Sequence, residues 1–197
     1  MPLAGETFGG RAGGRRAGPL YTYHGTDEPL SPLLPMPRVS FEALPESARV
    51  WVFASDRPIA GAAADQLLAE VDRFLDEWRA HGAPLTCARS WTDEHFLTIA
   101  VDQSGAAASG CSIDGLFRTL KALEPALGAS LVGGGRVHFR DATGSVRAVS
   151  RDEFTALGER GAVTPATVVF DPTVATLGDW SDRFETEAAR SWHGGLL

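Results

Sequence analysis

Leu67, Leu68, Val71, Phe74, Leu75 and Trp78 recur at spacings of three and four. Such a stripe is buried only if residues 62–81 form a helix laid against something else. A second stripe, Leu116, Leu120, Leu123 and Leu127, predicts another helix over 112–127. Runs rich in β-forming residues flank and separate the two, at 49–54, 87–91, 96–101, 136–140 and 146–149. The order is β-α-β-β-α-β plus one strand, the split β-α-β pattern of a ferredoxin-like fold. The expectation is therefore an α+β protein whose antiparallel sheet buries both stripes on one face. A short helix at 150–160, a strand at 167–170 and a mixed segment at 177–192 form a C-terminal α/β extension. His81-Gly82 reads as the end of the first helix, a cation followed by glycine.

The first 40 residues are of another kind. Glycine, arginine and proline dominate them, with no periodicity that would bury a face. They are expected to be disordered, or to lie upstream of a natural start at Met36. Residues 41–197 form the single domain, with its core at 41–150 and the extension at 151–197.

A net charge of -7 disfavours a general nucleic-acid binder. Cys87 and Cys111 are too few for a disulfide framework and fit a reducing cytoplasm. No apolar run approaches the ~18 residues of a membrane span. Arg15-Arg16 is followed by no apolar stretch, so the chain reads as cytoplasmic, with no membrane partner.

The segment 102–115 is the stretch least explained by packing. It joins the third strand to the second helix and is built of small residues around Cys111. Main-chain N–H groups at a helix start are free to meet a polar guest. Asp102, Gln103, Ser109, Gly110, Ser112 and Asp114 are the candidate ligand-binding residues. Ser112 also reads as a helix cap, and Asp114 as a complement to the helix dipole. A thiol at a helix start is favoured as a thiolate. Cys111 is thus the candidate reactive atom, with His193, in an irregular setting, as its candidate base. Asp56 and Asp93 could sit at one sheet edge and hold a divalent metal for phosphoryl transfer. His138, flanked by Val137 and Phe139, is expected to face solvent. Gly133-Gly134-Gly135 reads as a flexible connector, with close approach of a ligand as the alternative. No Cys/His pair has metal-site spacing, and no motif implies a cofactor.

Leu44-Pro45-Glu46-Ser47-Ala48-Arg49-Val50-Trp51-Val52, Ser109-Gly110-Cys111-Ser112-Ile113-Asp114 and Ser191-Trp192-His193 carry a resemblance, with segments at 80–85 and 163–170. Together they resemble a family of small, uncharacterised bacterial proteins often labelled "ABC transporter ATPase". The residues argue against nucleotide hydrolysis. The sole lysine, Lys121, lies in mid-helix, and no Gly-Lys-Ser/Thr occurs. The resemblance transfers no catalytic residue. The expected function is a non-enzymatic module that binds a small ligand or an interaction partner at 102–115. Thiol chemistry at Cys111 and phosphoryl transfer at Asp56 and Asp93 are the alternatives.

Overall fold

The computed structural model describes residues 38–197. The readings of residues 1–37, Met36 included, lie outside them. The protein is α+β, and its described residues form two larger antiparallel sheets and a two-stranded hairpin. Strands β1 (Arg49–Ala54), β4 (Thr86–Thr92) and β5 (Phe96–Asp102) form the first, in the order β1-β5-β4. β5 runs antiparallel to both neighbours. Helix α1 (Gly61–Asp76) makes the crossover between the parallel β1 and β4, so the split β-α-β unit is present. Helix α2 (Gly110–Leu127) packs beside α1 on the same face. Leu67, Val71, Leu75, Leu116 and Leu120 are fully buried there, each stabilising by about 1.5–3 kcal/mol relative to exposure.

The first helix is shorter than its apolar stripe. It ends at Asp76, and Arg79–Ala80 (β2) pairs with Ala83–Pro84 (β3). His81 and Gly82 adopt φ of 51° and 83°, the two left-handed residues of a tight hairpin. His81-Gly82 is therefore a hairpin turn, not a helix end. Trp78 still reaches the core and donates its indole N–H to the Ser112 carbonyl at 3.0 Å.

Strand β6 (Arg136–Arg140) does not join the first sheet. It pairs with β7 (Val146–Ser150) on one side and β8 (Val168–Phe170) on the other. β9 (Glu185–Glu187) completes the order β7-β6-β8-β9. The C-terminal strands are thus integral to the second sheet. Val137, Phe139 and Val169 pack on one face of it against Phe154 of helix α3 (Arg151–Glu159) and against Trp192. Its other side contributes Phe170, which meets Phe96 of β5 at 4.4 Å between ring centroids. Phe184, following helix α4 (Leu177–Arg183), closes this aromatic contact between the sheets. β5 is consequently covered on both faces and buried from Phe96 to Val101.

In a four-stranded ferredoxin-like sheet a strand would lie along the outer edge of β1. Here only a short segment does so. Val50 N–H donates to the Ala175 carbonyl at 3.0 Å, and Leu177 N–H donates to the Ala48 carbonyl at 2.8 Å. The rest of that edge borders a cleft.

Candidate functional site

Within segment 102–115, Asp102 bonds Ser104 and Ser109 bonds Ser112, while the Ser112 carbonyl accepts from Trp78. The Asp102 carboxylate accepts from the Ser104 N–H at 2.8 Å and the Ser104 hydroxyl at 2.9 Å, a local turn. Ser109 caps α2 by accepting the Ser112 N–H at 3.3 Å, while the Ser112 hydroxyl donates to the Ser109 carbonyl. Gln103, Gly110, Cys111 and Asp114 are exposed. Cys111 borders a shallow hollow of about 340 Å³ beside Arg73, Phe74 and Trp78.

His193 is fully enclosed. It stacks on Trp192, with centroids 3.7 Å apart, and meets Phe154 edge-on. Its Nδ1 lies 2.8 Å from the Ser191 hydroxyl, and its buried Nε2 has no partner among the described residues. Burial brings its pKa down to about 4. These neighbours belong to the core of the second sheet, whereas Cys111 borders α1. No hydrogen bond or ring contact links the two. The second cysteine, Cys87, is buried beneath α1, and burial pushes its thiol up to about 12. Iodoacetamide is expected to modify Cys111 in the native protein and Cys87 only after unfolding. Mass spectrometry of peptides from native and denatured samples checks this.

Asp56 and Asp93 are each engaged elsewhere. The Asp93 carboxylate pairs with Arg140, which also holds Glu185 of β9. Asp56 accepts the Ser130 N–H at 2.9 Å and returns its own N–H to the Ser130 carbonyl at 3.1 Å. Burial works to raise the Asp56 carboxyl, but the Ser130 and Arg57 hydrogen bonds and the charge of Arg136 hold it below its ordinary value. Among the described residues, no group of three or more acidic, His or Cys side chains is placed to hold a metal ion.

The Asp56–Ser130 clasp borders a cleft of about 590 Å³. One wall is the β1 edge, from Arg49 to Ala54. Pro172, Val174 and Ala175, with 130–136 and Phe117, complete the lining. The 130–136 loop is tied down at its root. Glu124 accepts the N–H groups of Leu131 and Val132, each at 2.8 Å, and the Ser130 hydroxyl at 3.2 Å. Burial works against the charged Glu124 carboxylate, yet Lys121 and these donors keep its pKa below the ordinary value. Gly134 and Gly135 then adopt φ of 55° and 82°, which a side chain would strain. The triple glycine is thus the end of an anchored loop facing the cleft.

Two cations border this cleft without an acidic partner among the described residues, Arg49 and Arg136. Arg49 lies over the Trp51 ring at 4.8 Å, and both arginines are exposed. His138 also borders the cleft but is only 3% exposed. The expectation of a solvent-facing His138 is overturned, because the second sheet is covered on both faces. The His138 Nε2 lies 2.9 Å from the Ser55 carbonyl, and Nδ1 is buried without a partner among the described residues. Burial depresses the His138 pKa, assisted by His95 and Arg136.

Arg49, Arg136 and His138 were legible only as members of strands. Their convergence needs β6 to leave the first sheet, which no local pattern announces. Among the described residues, no helix is long and apolar enough to cross a membrane. No protein-family model, curated protein or solved structure matches the chain.

Proposed function

We propose that the protein is a binding module that holds an anionic ligand in the cleft beside β1. The observation that carries this reading is a pair of arginines, without an acidic partner among the described residues, on one concavity of a chain with net charge -7. The cleft volume, about 590 Å³, falls within the range of small-ligand sites. The anchored loop supplies a preorganised wall, which lowers the ordering cost of binding. Apart from the two arginines, Asp56, Ser130 and His138 are the titratable or hydroxyl groups of the lining, and their engaged atoms serve the scaffold. That favours binding over catalysis.

Citrate and inorganic phosphate are the first probes. A ligand at about 100 times its Kd adds about 2.7 kcal/mol, so melting should rise by about 5–10 °C. Arg49→Ala and Arg136→Ala should each reduce the rise, and added salt should weaken it. No shift with either anion, or a shift indifferent to both substitutions, would sink the reading.

Thiol chemistry at Cys111 has one observation in its favour, the exposed sulfur. A Cys111 that reacts with iodoacetamide no faster than free glutathione ends that alternative.

A further inference from the structure

The outer edge of β1 is a strand position left partly empty. Ala48 and Val50 turn main-chain groups outward, as their bonds to Leu177 and Ala175 show. The alternation of a strand makes Val52 and Ala54 point the same way. At the far end, Asp56 N–H is taken by Ser130. Between these closures, Val50 C=O, both main-chain groups of Val52 and Ala54 N–H have no hydrogen-bond partner among the described residues. All three residues border the cleft. Val50 to Ala54 spans roughly 13 Å at about 3.3 Å per residue.

Unpaired strand edges are templates for another extended chain. The charges say which kind. Arg49 stands at the start of the open edge, and Arg136 lies near its far end, where its charge acts on Asp56 and His138. A compact anion is drawn by these charges but leaves the main-chain groups between them unpaired. An extended segment with acidic groups meets both while pairing with the backbone between them. We infer that the ligand is an acidic, extended peptide segment of about five residues that adds as a strand to β1. This rests on the anion-binding reading above and names the ligand class for that same cleft.

The test uses the unaltered protein and fluorescein-labelled five-residue peptides that alternate Asp or Glu with Val, Ile or Thr. Each is compared with its Lys-substituted version and with versions carrying single backbone N-methyl groups. Anisotropy should show binding by the acidic set and loss of it on Lys substitution. Methylation of an edge-facing amide should weaken binding about tenfold, the worth of about one hydrogen bond, whereas methylating its neighbour should weaken it far less. Arg136→Ala should weaken the acidic peptides and leave the methylation pattern intact. Binding that ignores methylation would overturn strand addition while leaving anion binding in place. So would failure of every peptide when citrate still raises the melting temperature. Failure of peptides and anions together would remove both readings. A stable dimer in sedimentation that acidic peptides do not dissociate would assign the edge to a second copy and overturn the inference.

Discussion

Lowering the pH from 7 to 4 is expected to destabilise the protein by about 3 kcal/mol through His193 alone. In an unfolded chain the imidazole titrates near about 6.5. Enclosed between Trp192 and Phe154, it titrates at about 4. Burial is the main cause, with His138 and Arg151 acting in the same direction and Asp171 against it. Between the two values the unfolded state holds a proton that the native state lacks. Stability is therefore complete above pH 7 and falls as the pH drops through that window, by about 1.4 kcal/mol per unit. His138, also depressed by burial, adds a loss of the same sign. Urea midpoints at pH 7.5 and 4.5 measure the drop. In His193→Phe, which keeps a ring against Trp192 but cannot titrate, the drop over this narrower interval should shrink by about 2.5 kcal/mol. An equal drop in that variant and the wild type would refute the assignment.

Phe96→Ala should cost about 3–5 kcal/mol, the usual range for emptying a buried phenylalanine site. Phe96 is 1% exposed and is the contact on which the two sheets meet. Phe170 lies 4.4 Å from it, Phe184 5.1 Å and His138 5.3 Å, all between ring centroids. Truncation leaves a void bounded by both sheets, and neither ladder can slide to fill it without breaking register. Phe117→Ala is the control. Its ring is 37% exposed on the rim of the cleft, so its loss should cost much less. Urea denaturation monitored by far-ultraviolet circular dichroism gives both values. Similar costs for the two would mean that the sheets are held together elsewhere.

The candidate site shows where local reasoning stopped. Gly133 to Gly135 were visible as glycines, but their use depends on Glu124 and Asp56, which fasten the loop root from two other elements. Asp56 looked like half of a metal site because a carboxylate after a strand fits that role. Its commitment to Ser130, 74 positions away, cannot be read from spacing. His138 obeyed its alternation, opposite Val137 and Phe139. The error lay in assuming that the opposite face was wet. Cys111 was correctly placed at a helix start, and Ser109, one of the proposed ligand residues, proved to be the cap.

By itself the sequence determined the local elements. Leucine spacing set both long helices and β-forming runs set six strands, although the cap of the second helix is Ser109 and not the expected Ser112. Those signals act within a few residues, so they survive without knowledge of the rest of the chain. Only the tertiary structure decided that β6 would pair with β8 rather than with β1. Strand pairing is a contest among distant segments, settled by which arrangement buries Phe96, Phe170 and Phe184 together. The open edge of β1, and with it the arginine-lined cleft, is the consequence of that choice.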